Sequence, residues 1–491
     1  MNKHNLLIKK VKQVFLSINN LIESYFNKIK FLKKNEFIRN NKVFFGLSAV
    51  VILTLSYFLI PTMYSKNIIK EEIKNQIFKK YNIEVIFNEK IRYGLLPKPH
   101  FISKNSSIIR DKKEIGVVKN LKVFIGLNDF FSFNSIEIKD LFFIKTDFNL
   151  KKKDLFFFEE LLRTAPNENN IVFKKSNLFF NGSNDDLLFL NKIINGKFFY
   201  DAFNLENVLI SENEIFKIPY KLKIINNKFN KELFMKFNSK KIRLDIENKT
   251  NYEEKEKKGF LDILFINKDL LLNYKIKDNS LIFFTNDRKL LNGFFDFKPF
   301  YLNANLNYDG ISTKNLFNNN SILIDLIQSE ILNNINLNVN ISLNVNDITN
   351  INELNNLKLK VGLDQGNITV SKSEIMWKND LHIILKDGFI SYDENEISLI
   401  GKVIINTKNI NNFYKSFQIK KVYRKEIDEI QLDFTYNFNT KKFEFDNVKV
   451  DNKSNSNLNK FIDNHNSNEN FFSNKITFKN FINNFFISYA G

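Results

Sequence analysis

The residue types that carry most enzyme chemistry are few and widely spaced in this chain of 491 residues. Its histidines are His4, His100, His382 and His465. None of them has a second histidine at the short spacing of a metal-binding motif, and the chain has no HExxH sequence. Because the sequence contains no cysteine, it excludes disulfides, thiolate nucleophiles and cysteine-ligated metals.

Other catalytic signatures are also missing from the sequence. It has no phosphate loop of the GxxxxGK[ST] type, no GxGxxG turn and no GxSxG elbow. Paired acids such as Asp185 and Asp186 stand in polar turns, which is typical of solvent-facing positions. We therefore predict a protein that is not an enzyme and that needs neither a metal nor a cofactor.

The segment around which the chain is organised is residues 43–64, which contains no Asp, Glu, Lys or Arg. As a helix it would be about 33 Å long, enough to cross a hydrocarbon core of about 30 Å. Tyr57 and Tyr64 are placed to anchor its end at a membrane interface. The preceding basic region is too long for a signal peptide, and no small-x-small cleavage site follows. The segment therefore predicts a permanent single-pass transmembrane anchor.

Residues 1–42 carry ten basic and two acidic residues and precede this anchor. The spacing of Leu7, Val11, Val14 and Ile18 predicts an amphipathic basic helix, which suits the surface of an anionic cytoplasmic leaflet. A poorly ordered tail is the alternative. Lys and Arg are nearly balanced on the two sides of the span, so only the tail as a whole favours a cytoplasmic N-terminus.

The formal net charge of +19 invites a nucleic-acid or anionic-membrane partner. The basic residues are nevertheless spread along the whole chain and interleaved with acidic ones, which indicates a solvated surface. The abundance of Lys, Asn, Ile and Phe is typical of an A/T-rich coding sequence. We therefore predict no nucleic-acid partner.

Beyond a short amphipathic helix over 66–81, short strands alternate with polar turns almost to the end of the chain. The clearest strand is 336–346, in which Leu337, Val339, Ile341, Leu343 and Val345 occupy one face and Asn or Ser occupies the other. Similar patterns occupy 357–363, 381–385, 397–405 and 430–438, the last followed by a hairpin to 443–450. Helices are predicted over 154–164 and 321–333.

These patterns predict a mainly β fold, in which an elongated, curved and mostly antiparallel sheet with a few short helices follows the transmembrane helix. The sequence shows neither a βαβ rhythm nor a strict internal repeat. A sheet with one apolar face must cover that face by closing, by sandwiching or by holding something apolar. Our candidates for lining an apolar groove are the five alternating residues from Leu337 to Val345, and an ordinary sandwich core is the alternative.

The C-terminal segment has a different composition. Residues 451–470 are predicted to be a flexible linker, and 476–489 a helix that docks on the sheet or contacts a membrane or partner.

The order of parts in the N-terminal third resembles the AsmA family of envelope proteins. A basic tail, one span and a short helix lead to residues 93–101 (YGLLPKPHF), which look like the family's strand ending in a P-x-P turn. Residues 115–148 are similar to the family's next strands, and residues 329–338 are similar to the start of its C-terminal module.

The expected divisions of the chain are a cytoplasmic tail (1–42), an anchor (43–64), an N-terminal β module (65–165), a middle β region (166–330), a C-terminal β module (331–450) and a linker with a terminal helix (451–491).

The resemblance implies a single-pass protein of the Gram-negative inner membrane with its bulk in the periplasm. It implies a groove that holds phospholipid acyl chains and supports lipid transport and outer-membrane homeostasis, with an outer-membrane or periplasmic protein as a partner. At this length the sheet is short for a full bridge across the periplasm, so a shuttle or an assembly stays open. The alternative function is an anchored periplasmic scaffold or assembly factor for outer-membrane proteins, with a closed β core and partners bound at its strand edges. The lipid, the direction of transport and the identity of any protein partner are left open by the sequence.

Overall fold

The computed structural model describes residues 20, 24, 42–126, 136–151, 154, 156–163, 169–182, 186–251, 257–265, 268–277, 280–287, 289–297, 300–311, 334–349, 351–393, 396–466 and 475–491. The predicted basic tail (1–42), apart from its last residue and two isolated positions, and the predicted helix 321–333 lie outside this part of the chain. Within it, the protein is mainly β, as the sequence predicts.

The described helices occur toward the two ends of the chain and beside one early strand. They are α1 (Lys42–Leu59), α2 (Lys66–Tyr81), α3 (Phe156–Arg163), α4 (Ile410–Phe417), α5 (Ser456–Asn466) and α6 (Lys475–Ala490). Short 3-10 turns cover Ile60–Met63 and Lys421–Tyr423. The helix predicted over 154–164 is confirmed as α3, and that predicted over 66–81 is confirmed as α2.

The described strands fall into three runs along the chain. The first run is β1 (Glu84–Ile86), β2 (Arg92–Gly94), β3 (His100–Arg110), β4 (Lys113–Ile125) and β5 (Ile138–Leu150). The second is β6 (Ile171–Asn181), β7 (Leu187–Asp201), β8 (Glu206–Ile215), β9 (Ile218–Asn227), β10 (Glu232–Ser239), β11 (Leu244–Asn251), β12 (Lys257–Phe265), β13 (Lys268–Lys277), β14 (Ser280–Phe284), β15 (Leu291–Phe297) and β16 (Phe300–Ile311). The third is β17 (Leu337–Ile348), β18 (Leu354–Asp364), β19 (Asn367–Val370), β20 (Ser373–Trp377), β21 (Leu381–Asp393), β22 (Glu396–Thr407), β23 (Glu429–Asn437), β24 (Lys442–Val450) and β25 (Lys453–Ser454).

All of these strands belong to one sheet in which neighbours in sequence are generally neighbours in space. Nearly every described pair is antiparallel, so the sheet is largely a meander. Two pairs are parallel, β5 with β6 and β16 with β17. The first is connected through α3, because a parallel pair needs a crossover connection rather than a tight hairpin. The connection of the second pair falls mainly in 312–333, outside the described residues.

The pairing register brings the apolar side chains of successive strands into line on one face of the sheet. Leu302 of β16 is paired with Val339 of β17, and Val339 in turn with Leu363 of β18. The same alignment continues toward β13, where Leu272 is paired with Leu261. We call this side the apolar face and the opposite side the polar face. Because side chains alternate along a strand, a one-residue slip at any pairing would break this alignment.

The apolar face is densely covered at its N-terminal end. Helix α2 contributes Ile73 and Ile77, both fully buried, to a cluster with Leu121, Ile138 and Phe143 of the sheet. Helix α3 adds Phe157, Leu161 and Leu162 to the same cluster. We call this set the N-terminal cluster. Its residues form a closed core of the ordinary kind, stabilised by loss of apolar surface from water.

The C-terminal end of the apolar face is covered in the same way. Helices α4, α5 and α6 pack on β21–β24, with Tyr414, Leu458 and Phe486 almost completely buried. We call this set the C-terminal cluster. The helix predicted over 476–489 therefore docks on the sheet. This was one of the two alternatives that the sequence left open. The prediction of a flexible linker over 451–470 is wrong for its described part, because β25 and α5 occupy it and Leu458 and Ile462 of α5 are buried.

Helix α1 and the 3-10 turn that follows it include a window long and apolar enough to cross a membrane, Gly46–Met63. Most of the large apolar side chains of α1 project away from the protein, and Leu47, Val50 and Leu53 are all more than half exposed. The end of the window differs, since Tyr57 and Phe58 of α1 and Ile60 of the 3-10 turn pack against the N-terminal cluster. The hydroxyl of Tyr93 also donates a hydrogen bond to the Phe58 carbonyl (2.6 Å), which ties the end of α1 to β2.

Candidate functional site

The five residues predicted to line a groove all lie on β17 and point to the apolar face. Val345 is buried, whereas Leu337, Val339, Ile341 and Leu343 stay partly exposed. Each has an apolar partner across the parallel pair with β16, as Ile341 has Ala304 and Leu343 has Leu306. The strand therefore contributes an unbroken apolar row.

A third apolar cluster surrounds this row, and it is less covered than the two at the ends. Its buried residues are Leu272, Tyr274, Phe283, Leu291 and Ala304, and Ile341 packs against them. The other apolar side chains of the cluster, from Leu261 on β12 to Leu306 on β16, are only partly buried. Among the described residues, no helix contributes to this central cluster. Apolar area therefore stays in contact with solvent between two closed ends.

The polar face of the same strands is organised by asparagine side chains. Asn340 Nδ2 donates to the hydroxyl of Tyr301 (2.9 Å), and Asn344 Nδ2 donates to Asn307 Oδ1 (2.8 Å). Each bond joins β17 to its parallel neighbour β16. These bonds satisfy polar groups of this face, and the two faces of β16 and β17 differ in chemistry.

Polar side chains also occur on the apolar face, between β7 and β9, which the sequence analysis missed. The hydroxyl of Tyr220 donates to Asn191 Oδ1 (2.9 Å), and Asn213 Nδ2 donates to Ser211 Oγ (2.8 Å). Burial raises the pKa of Tyr220 to about 12. The pattern of β8, with Leu209, Ser211 and Asn213 on one side, was the available signal.

Two buried asparagines hold the end of α3 against this polar stretch. Asn207 Nδ2 and Asn226 Nδ2 both donate to the carbonyl of Leu162, at 2.8 and 2.7 Å. The last carbonyls of a helix have no partner within the helix, so these amides satisfy one of them. Helix α3 is therefore fixed over β8 and β9 and ends the N-terminal cluster there.

Among the described residues, the histidines and acids considered first do not converge into a reactive site, while His4 and Asp185 lie outside the described part of the chain. His382 Nε2 lies 2.8 Å from Glu374 Oε2, and Lys358 Nζ lies 2.6 Å from Glu374 Oε1. The hydrogen bonds from Lys358 and His382 hold the pKa of Glu374 below its ordinary value. This is a surface ion cluster on β18, β20 and β21. Within the described residues, no group of three or more His, Asp or Glu side chains is arranged to hold a metal.

No protein-family model matches the chain, and a comparison with the curated proteins found no match. Membership of the AsmA family therefore stays a prediction based on the sequence resemblance.

Proposed function

We propose that the chain is a membrane-anchored, non-enzymatic protein that holds lipid acyl chains on the central part of its apolar face. In this proposal α1 spans the inner membrane of a Gram-negative cell and the sheet lies in the periplasm, curved into a groove. The protein would support phospholipid transport and outer-membrane homeostasis. Its ligand is a phospholipid, whose head group stays in water at the rim of the sheet.

The observation that carries the proposal is the central cluster, where apolar residues in register remain partly exposed. Large apolar areas exposed on a soluble surface usually mark a binding site. Transfer of an acyl chain from water to such a face is worth about 0.8 kcal/mol for each buried CH2. A bilayer surrounds the acyl chain with similarly apolar groups, so exchange of the lipid between the membrane and the protein costs little free energy. Release of the lipid into water costs much more.

The covered ends favour a chamber of limited length over a continuous conduit. The N-terminal cluster is closed by α2 and α3, and the C-terminal cluster by α4, α5 and α6. A lipid held on the central cluster would be bounded by these two packed regions. The proposal therefore favours a carrier or one unit of an assembly over a single-chain bridge.

A second candidate function, an anchored scaffold, is favoured by a feature of the polar face. A depression of about 630 Å³ lies over β13–β16, where Ile282, Phe284 and Phe294 are bordered by Lys275 and Asp296. Apolar side chains framed by charges on an otherwise polar surface are typical of a protein contact. In this alternative, the sheet binds periplasmic partners and its central cluster holds no lipid.

The two functions are separated by lipid analysis of the full-length protein purified in detergent. We expect native mass spectrometry to detect bound phospholipid, and we expect Val339→Asp with Ile341→Asp to remove the lipid that the central cluster holds, because buried carboxylates are strongly unfavourable beside acyl chains. The full chain is needed, since a fragment ending at 450 would remove α5 and α6 from the C-terminal cluster.

The matched control places the same charges on the other side of the same strand. Asn340→Asp with Ser342→Asp changes neighbouring positions on the polar face. We expect this variant to keep its lipid. A folded, lipid-free parent protein would contradict the proposed function, as would equal loss of lipid from both double variants.

A further inference from the structure

A pocket of about 540 Å³ lies where α1 meets the sheet. Its walls include Leu55 and Phe58 of α1, Leu96 and Lys98 of the 95–99 turn, and Lys139 at the start of β5. The turn connects β2 to β3, and the Tyr93–Phe58 hydrogen bond fixes it beside the helix. The volume is within the range of roughly 300 to 1,000 Å³ that is typical of small-ligand sites.

The residues of α1 that line this pocket are part of the candidate membrane span. Phe58 and Leu55 lie within the Gly46–Met63 window. They lie five and eight residues before Met63, where the window ends. With this window spanning the hydrocarbon core, the helix wall of the pocket is at the depth of the acyl chains. The side chain of Leu96, 81% exposed, lines the same pocket.

The 95–99 turn contains two prolines, and two of its backbone carbonyls have partners within the protein. Pro97 and Pro99 have no N–H to donate. The Pro99 carbonyl accepts a hydrogen bond from the backbone N–H of Ile125 (3.2 Å). The Lys98 carbonyl is 2.7 Å from His100 Nδ1, and because a carbonyl only accepts, Nδ1 carries the proton. Backbone groups in lipid must be satisfied within the protein, and these contacts move the turn toward that condition.

Two lysines and one carboxylate lie at the pocket. Lys98 is exposed at the turn, and Lys139 lies across the pocket with its Nζ 2.5 Å from Glu137 Oε1. The carboxylate, Asp140, is held by Asn170, whose backbone N–H and side-chain amide both donate to its Oδ1. Lysine stems can lie along apolar surface while their ammonium groups reach the interface.

We propose that the 95–99 turn inserts into the membrane leaflet beside α1 and that the pocket binds one phospholipid. Its acyl chain contacts Leu55 and Leu96, and its phosphate lies at Lys98 and Lys139. The site is separate from the central cluster, because the N-terminal cluster lies between them. This inference rests on the proposed membrane anchor. It adds a second fixed contact between the β module and the bilayer.

The depth of the turn is measured with single labels, which the natural absence of cysteine makes straightforward. The full chain is reconstituted in vesicles of phosphatidylcholine and phosphatidylglycerol, with a fluorophore at Leu96→Cys, Val50→Cys or Phe203→Cys. Val50 lies in the candidate span, and Phe203 is 94% exposed in the β7–β8 turn. We expect spin-labelled acyl chains to quench the labels at 96 and 50, and iodide to quench the label at 203.

A label at 96 that is quenched only by iodide, while that at 50 is quenched by lipid, overturns this inference and leaves the anchor intact. If the label at 50 is also reached only by iodide, the anchor and the inference both fail. Lipid quenching at 96 supports the insertion whether or not the central cluster binds lipid.

The phosphate contact has its own test in the full chain purified in detergent. A lysine near an anionic lipid surface contributes about 1 kcal/mol, which corresponds to a loss of affinity of about fivefold on removal. We expect Lys98→Gln to weaken phosphatidylglycerol binding by about this factor in a native mass spectrometry titration. Lys420→Gln, at an exposed site near α4, is the control. Equal affinities in the two variants would overturn the assignment of the phosphate to Lys98.

Discussion

At the scale of single residues, the polar groups on the apolar face are explained by specific partners. Asn207 and Asn226 both donate to the Leu162 carbonyl and so hold the C-terminal end of α3. The sequence alone could not identify this role, since asparagine is common throughout the chain. The alternation of residues along each strand assigns every asparagine to one face of the sheet. The hydrogen-bond partner of its side chain, however, depends on where α3 docks.

Removal of both amides is expected to loosen α3. In Asn207→Ala with Asn226→Ala, the free energy of local opening of α3 should fall by about 1 to 3 kcal/mol, since two buried hydrogen bonds are lost. Hydrogen exchange of the α3 amides, Phe156–Arg163, measures this change. Asn346→Ala, on the exposed part of β17, is the control. Unchanged exchange in α3 would contradict the role assigned to the two asparagines.

The pKa of Tyr220, raised to about 12 by burial, predicts a dependence of stability on alkaline pH. The unfolded tyrosine loses its proton near pH 10, while the folded one keeps it. Its contribution to stability is therefore complete below pH 10 and is lost as the pH rises toward 12.

Tyr220→Phe should therefore reduce the loss of thermal stability between pH 10 and 12. The loss should not disappear, because burial also raises the pKa values of Tyr93 and Tyr414 to about 12. Melting temperatures of the variant and its parent across this window give the comparison, with Tyr392→Phe as a half-exposed control. Identical losses in the parent and Tyr220→Phe would show that Tyr220 makes no such contribution.

At the scale of elements, the spacing of apolar residues predicted α3, α6 and the apolar face of β17. Composition, in contrast, predicted a linker where the structure has α5. The region 451–470 is rich in Asn and Ser, which is typical of a linker. Its two decisive residues are Leu458 and Ile462, four positions apart and both buried by the sheet and α6. Two apolar residues in a polar segment are a weak signal, and the tertiary surface that receives them is not visible in the local sequence.

The packing of α6 predicts a large effect of one phenylalanine. Phe486 is 2% exposed and contacts the rings of Phe413 and Tyr414. Phe486→Ala should destabilise the C-terminal cluster by about 3 to 5 kcal/mol. Fluorescence of Trp377, the single tryptophan, reports this unfolding because its ring lies 5.5 Å from that of Phe417 and 6.0 Å from that of Phe413.

The matched control for this change is the next residue of the same helix. Ile487 is 41% exposed, and Ile487→Ala should shift the denaturant midpoint much less. Similar midpoints for the two variants would indicate that α6 does not stabilise the C-terminal cluster.

At the scale of the whole molecule, the single long sheet follows from strands that alternate in polarity and are joined by short turns. The sequence could not identify the parallel pairing of β16 with β17, because the pattern of Leu302 and Val339 is equally compatible with an antiparallel neighbour. It also could not show that helices cover both ends while the central cluster stays partly exposed. That division depends on the docking of α2 through α6 and not on any local pattern.

The proposal that lipid occupies this central region is tested most directly by photocrosslinking. The full-length protein is loaded with a phospholipid that carries a diazirine on its acyl chain, and crosslinked peptides are mapped by mass spectrometry. We predict crosslinks to apolar-face residues of the central cluster, such as Leu302, Leu306 and Ile341, and none to Asn340 on the polar face. Crosslinks confined to α1 and its adjoining turn, or to the polar face, would contradict it.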